Sequence, residues 1–291
     1  MIEIRNLTKI YPNGKKALNA LCLQIEQGMF GLVGPNGAGK TTLMRILATL
    51  LRPTQGWVRI YGHYVDTPEG KAAIRGMLGY LPQEAGFHSK LTVEQELDYM
   101  ALLKGITGSV ERRRQIAMAL EHIGLQHVRR ERIHALSGGM KRRLGIGMAL
   151  LGNPRLIIVD EPTASLDPAE RVRFRNLLLR LSGDRIVILS THIIEDVSHI
   201  CSDLAVIKNG TLLFHGSPRQ LVSQVEGQVW IVPEKELREE HAAYLISSRS
   251  TREGIEHRVL SRAKPSPSAR MTEPTLEDAY LWVVQRETRR G

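Results

Sequence analysis

The stretch GLVGPNGAGKTTLMRIL, residues 31–47, sets four glycines ahead of a lysine and two threonines. Glycine inside a regular element costs stability, so such a run marks a backbone of unusual shape. Gly34, Gly39, Lys40 and Thr41 match G-x-x-x-x-G-K-[ST], a phosphate-binding loop. Along Gly34, Pro35, Asn36, Gly37, Ala38 and Gly39 the backbone can come close to phosphate oxygens, and its amides form an anion nest. The helix that opens near Gly39 adds the positive end of its dipole. Lys40 is placed to reach the β- and γ-phosphates, the Thr41 hydroxyl to take a magnesium site, and Thr42 continues the nucleotide-facing run. This motif alone points to nucleotide binding and leaves open which nucleotide and what work.

Two further sites carry chemistry. RLIIVDE, residues 155–161, puts Asp160 at the end of an apolar strand with Glu161 beside it. An aspartate there can hold magnesium through water, and the next glutamate is placed to polarise an attacking water. By itself the pair also suits an ordinary strand end leading into a turn. LSGGM, residues 136–140, sets Ser137, Gly138 and Gly139 at the start of a helix, a second anion site. A chain with one nucleotide has no use for a second phosphate-reading helix end. Two chains docked head-to-tail do, each presenting this end to the other's nucleotide.

The elements that must position these residues are legible from the pattern. IEIRNLTKIY and KKALNALCLQIEQG read as two strands around an Asn13-Gly14 turn, and QGWVRIYGHYV as a further edge pair. Together they predict a small antiparallel sheet beside the main one. MLGYLPQ reads as a short buried strand ending at Gln83. From about residue 84 to 150 the pattern is helical, with TVEQELDYMALLKG and VERRRQIAMALEHIGL amphipathic. RLIIVDE and RIVILSTH are continuous apolar runs, the mark of a buried parallel sheet, with the helix PAERVRFRNLLLRL between them. After about residue 222 the character changes. GQVWIV suggests a strand, PEKELREEHAAYL a helix, AKPSPSAR a Pro/Ser-rich linker, and EPTLEDAYLWVVQRE a last helix boxed by Thr275 and Asp278.

At 291 residues the chain can bury a substantial core, as one large domain with an appendage. Its net charge of +10 lies in residues 1–221, because residues 222–291 hold eleven basic and eleven acidic side chains. That excess suits nucleic acid, phosphates or an anionic membrane leaflet, or a solvated surface. Cys22 and Cys201 show neither metal spacing nor a secreted framework, which fits a reducing compartment. No signal peptide opens the chain, and no run nears the roughly eighteen apolar residues of a membrane span. A membrane role must then run through a partner.

The phosphate loop, LSGGM and the Asp-Glu strand end 23 residues past Ser137 together resemble the ATP-binding cassette (ABC) family, over roughly residues 1–221. The resemblance implies an α/β fold with a RecA-like parallel core, an antiparallel β flank and a helical subdomain at about 84–150; residues 222–291 form a small α+β accessory region. It implies that ATP and magnesium are bound, that Tyr11 stacks on adenine, and that Gln83 joins the magnesium shell and relays to a membrane partner. EPTASLDP resembles the D-loop, with Ser165, Leu166 and Asp167 crossing a dimer interface. His192, 31 residues past Glu161, matches the switch histidine on the γ-phosphate. Glu161, His192 and Lys40 are then the catalytic residues, and Thr41, Gln83 and Asp160 the metal residues. Whether Glu161 takes a proton or only orients water stays open.

Met140 departs from the glutamine of many members. With FGLVGPNGAGKTTLMRIL and the terminal PTLEDAY, it is similar to the separate ATPase subunits of ABC-2-type drug, antibiotic and sodium exporters. The expected partners are a membrane-spanning permease and a second copy, or a second ABC subunit, at the cytoplasmic face of the membrane. The alternative is a soluble ABC ATPase acting on nucleic acid or in translation. It is disfavoured by a single cassette and by only 96 residues between Lys40 and Ser137, without sustained heptads.

Overall fold

The computed structural model describes residues 1–288 apart from 85, 164–165, 238–244 and 253. It divides into two compact units, Met1–Ser202 with Ile207–Leu212, and Asp203–Val206 with Leu213–Gly291.

The first unit opens with β1 (Ile2–Ile10) and β2 (Lys16–Ile25), antiparallel across the Asn13-Gly14 turn, where Gly14 takes φ 78°. There follow β3 (Gly28–Val33), α1 (Lys40–Leu47), β4 (Gln55–Ile60), β5 (His63–Tyr64), α2 (Pro68–Gly76) and β6 (Leu78–Leu81). Three helices form the next stretch: α3 (Val93–Leu103), α4 (Ser109–Ile123) and α5 (Gly138–Leu150). Then come β7 (Leu156–Asp160), α6 (Pro168–Leu181), β8 (Ile186–Thr191) and α7 (Ile194–Ile200); β9 (Asp203–Lys208) and β10 (Thr211–Gly216) are each divided between the two units.

The central sheet runs β3-β8-β7-β6, all parallel. Strands β7 and β8 are buried along their whole length, which is why their sequences are unbroken apolar runs. Register pairs Val33 with Thr191, Asp160 with Ser190 and Leu81 with Val159. Neighbouring parallel strands therefore end together, and the loops after β3, β6, β7 and β8 gather on one edge. The expected antiparallel flank is the sheet β2-β1-β4-β5. The expected helical stretch is α3, α4 and α5. Thr92 and Gln95 box the start of α3, and Gly124 in the left-handed region ends α4.

The second unit holds α8 (Pro218–Ser223), β11 (Val229–Pro233), β12 (Leu245–Thr251), β13 (Gly254–Leu260), β14 (Arg270–Met271) and α9 (Leu276–Thr288). Its sheet order is β12-β13-β11-β14, over a core of Trp230, Val232, Val259 and Ala269. The Thr275–Asp278 box forms as expected, with the Thr275 N–H donating to Asp278 Oδ2 at 2.6 Å and the Asp278 N–H to Thr275 Oγ1 at 3.3 Å.

One reading of this region changes, and another falls mostly outside the described residues. The AKPSPSAR segment is packed rather than a free linker: Pro265 and Ser266 are buried, and Ser268 Oγ donates to Glu236 at 2.6 Å. The helix expected from PEKELREEHAAYL begins as a single 3-10 turn, Glu234–Glu236, and residues 238–244 lie outside the described ones. No helix among the described residues is long and apolar enough to cross a membrane.

Candidate functional site

The glycines of the loop after β3 have identifiable reasons. A Cβ on Gly34 would stand 2.2 Å from the Ile207 carbonyl oxygen, and one on Gly39 2.5 Å from that of Ala17. Gly39 also takes φ 108°, a conformation that favours glycine, and is the N-cap of α1 without a side-chain cap. The first-turn N–H groups of α1 are therefore left for a ligand, and no acidic side chain competes in that turn.

Lys40 is almost wholly buried. Its Nζ donates to the carbonyls of Gly34 at 2.7 Å and Pro35 at 3.2 Å, and lies 3.1 Å from Glu161 Oε1. The other Glu161 oxygen, Oε2, is 3.1 Å from His192 Nδ1. Glu161 takes φ 46°, which is strained for a residue with a Cβ, and its N–H is held by the Ser190 carbonyl at 2.9 Å. The turn after β7 thus aims Glu161 at Lys40 rather than along the strand.

Asp160 is fully buried, and neither carboxylate oxygen closes a hydrogen bond among the described residues. Burial pushes its carboxyl pKa upward. The nearby Ser190 and Thr41 hydroxyls and Lys40 pull it back, and the Glu161 charge adds to the rise. Two unpartnered buried anionic oxygens are costly unless something meets them. A hard divalent cation with oxygen ligands fits that vacancy in bonding.

Lys40 and Glu161 face a cavity of about 480 Å³ whose lining includes Tyr11, residues 36–42 and Gln83, whereas Asp160 and His192 are not among its lining residues. Tyr11 is tied to Thr42, hydroxyl to hydroxyl at 3.2 Å. Lys15 also lines the cavity. Sequence reasoning passed over it, although its place one residue past the Asn13-Gly14 turn, facing the loop, was a signal.

The remaining expected residues stand elsewhere. Ser137 caps α5 by accepting from the Met140 N–H at 3.2 Å, and Ser137 and Gly138 are exposed. Gly139 is buried beside Glu170. Asp167 caps α6, accepting from the Glu170 N–H at 2.9 Å, and Leu166 is buried. None of these lines the Lys40 cavity. Ser165 lies outside the described residues.

A family model described as ABC transporter matches residues 18–164, which hold the phosphate loop, LSGGM and the Asp-Glu strand end. The chain belongs to the ABC transporter family. This ABC ATPase is 34% identical over 236 residues to the uncharacterized ABC transporter ATP-binding protein YxlF of Bacillus subtilis, covering 81% of this chain and 77% of the relative. It is 32% identical to the linearmycin resistance ATP-binding protein LnrL of the same species, covering 79% and 74%. With the probable multidrug ABC transporter ATP-binding protein YbhF of Escherichia coli it shares 35% identity, over 80% of this chain and 40% of that one.

Its fold matches the dimeric ATP-binding cassette MJ0796 solved with ADP and Pi. The TM-score is 0.67 at 27% identity, over 75% of this chain and 98% of that one. It also matches cbiO1 of Clostridium perfringens, part of the ABC transporter complex cbiONQ, at TM-score 0.69 and 26% identity, over 77% and 90%. The chain is an ATP-binding ABC ATPase with the P-loop fold.

Proposed function

We propose that this ABC ATPase is the energy-supplying subunit of an ABC-2-type exporter, pairing head-to-tail with a second cassette around two MgATP. The single observation that carries this reading is the separation of its anion sites. Lys40, Glu161 and Gln83 share one cavity, while the exposed helix start at Ser137 and Gly138 does not line it. An exposed helix N-terminus bearing the LSGG residues is of use to a nucleotide held by another chain. The solved relative MJ0796 is itself described as dimeric.

In this reading residues 1–221 are the ATPase domain, with its helical subdomain near 84–150, and 222–291 an accessory region. Gly34 to Gly39 and Thr42 cradle phosphates with their N–H groups, and Tyr11 flanks the adenine. Lys40 exchanges its Glu161 contact for the β/γ-phosphate oxygens. Glu161, freed from Lys40, holds the attacking water, by orientation or by taking its proton. His192 steadies the second Glu161 oxygen and meets the γ-phosphate. Ser137, Gly138 and Gly139, with Asp167, complete the partner's site. Magnesium fits the unpartnered Asp160 carboxylate; Asp160, Thr41 and Gln83 would hold it, and it would neutralise charge on the phosphate oxygens.

The exporter assignment is supported by Met140, by PTLEDAY near the end of the chain, and by relatives named for multidrug and antibiotic resistance. The membrane subunit would dock beside Gln83 at the cytoplasmic face of the membrane. Purification from membranes at native expression level, with mass spectrometry of what co-purifies, tests this. A polytopic membrane protein is the expected companion; ribosomes or nucleic acid in its place would favour the soluble alternative and overturn the proposal.

A further inference from the structure

The helix start that bears LSGGM is not held by its own turn alone. An ideal Cβ on Gly139 would stand 2.7 Å from Glu170 Oε2 and 2.9 Å from both Cδ and Cγ of that side chain. Glu170 therefore occupies the space where any other residue at position 139 would put its side chain. By contrast a Cβ on Gly138 would meet nothing within 4 Å. The glycine at 138 leaves an open approach, and the glycine at 139 makes room for a carboxylate of the same chain.

Glu170 is built into its place from several sides. It lies in the first turn of α6, where its N–H donates to the capping Asp167 Oδ1 at 2.9 Å. Its Oε1 accepts from Arg173 Nη1 at 2.8 Å, and its Oε2 is 3.5 Å from Arg143 Nε on α5. Arg143 in turn donates through Nη1 to the Ile123 carbonyl at the end of α4 at 3.1 Å. Only about a sixth of the Glu170 side chain is exposed. Its charge sits beside the first turn of α5, where a helix favours an anion, and the two guanidiniums offset it.

We propose that Glu170 is a positioning residue that locks the LSGGM turn of α5 to the Asp167 turn of α6, so that the two segments offered to the partner cassette hold one fixed spacing. This rests on the head-to-tail reading. The physical reason is the absence of slack: a side chain wedged against a bare Cα, capped at its own backbone and ion-paired to α5, transmits displacement of one turn to the other. Glu170 does not line the Lys40 cavity, so its removal should leave that cavity unchanged.

The test is a set of variants with two independent readouts. Glu170→Ala should bind ATP in the isolated monomer within about twofold of wild type, while kcat at saturating ATP falls at least tenfold. Glu170→Gln keeps the shape that fills the space over Gly139 and should restore most of the rate. Equal losses in ATP affinity and kcat for Glu170→Ala would mean general damage and overturn the proposal, as would an unchanged kcat. The contact itself is read without any dimer. Gly139→Ala should lower the melting temperature of wild type clearly, and much less in the Glu170→Ala background. Additive melting shifts would refute the wedge, whereas coupled shifts with no ATP-driven pairing of Glu161→Gln would refute the head-to-tail reading alone.

Discussion

Replacing Lys40 by methionine removes an ammonium that stands 3.1 Å from Glu161 Oε1, with both groups nearly out of water. The carboxylate left behind keeps only His192, at 3.1 Å and itself 40% exposed, as a partner. Stripping one member from a buried pair costs about 3–5 kcal/mol, and the half-open histidine side lowers the expectation here to about 2 kcal/mol. Glu161→Gln alone leaves the ammonium on the Gly34 and Pro35 carbonyls, so its loss should be smaller, about 1 kcal/mol. With both changes neither member of the pair is left stranded by loss of the other, and the double variant should be no worse than the milder single one. The coupling is then about 2 kcal/mol, well outside the few tenths expected of independent sites. Urea unfolding without nucleotide, at one pH and low salt, measures all three variants. Losses that simply add would refute the claim that the nucleotide-free site is held by Lys40 and Glu161 neutralising each other.

Asp160→Asn should do opposite things to stability and to activity. Removing a fully buried, unpartnered carboxylate should raise nucleotide-free stability by about 1 kcal/mol, yet cut MgATP hydrolysis at least about a hundredfold, read by calorimetry and phosphate release. Lys104 donates to the Ala149 and Leu151 carbonyls at the end of α5, and burial lowers its pKa to about 8 from 10.5. Between pH 8 and 10.5 the unfolded chain binds more protons here than the folded one, so this group's contribution to stability rises with pH, by at most about 3 kcal/mol. Lys104→Met should flatten the change in unfolding free energy between pH 7.5 and 9.5 relative to wild type.

The sequence carried furthest where chemistry constrains backbone. The unusual backbone of the loop after β3 was legible because Gly34 and Gly39 answer specific obstacles, the Ile207 and Ala17 carbonyls. The runs at 156–160 and 186–191 announced parallel strands because both faces are covered. The hairpin of β12 and β13 was not foreseen. LISSRST is polar and mostly exposed, and its pairing draws on cross-strand contacts such as Arg249 with Glu256 at 2.7 Å rather than on apolar alternation. AKPSPSAR looked like a linker because proline and serine dominate it, but Ala269 joins a core and Ser268 meets Glu236, contacts made with segments far away in sequence. The Glu161 backbone at positive φ and the place of Glu170 over Gly139 are likewise tertiary facts, invisible to local pattern.

The central claim, that LSGGM serves the nucleotide of another cassette, can be put to light scattering. Glu161→Gln keeps the side-chain shape but removes the negative charge beside the γ-phosphate, so hydrolysis should nearly stop and the closed pair accumulate. Gly138→Asp is the second change to make, because position 138 is open whereas a side chain at 139 would strike Glu170 in the same chain. An aspartate there would set a carboxylate against the incoming triphosphate at the helix start. Mass measured with and without MgATP, for Glu161→Gln and for Glu161→Gln with Gly138→Asp, decides the matter. Mass should double with MgATP in the first and stay that of a monomer in the second; doubling that survives Gly138→Asp would rule out this role for LSGGM.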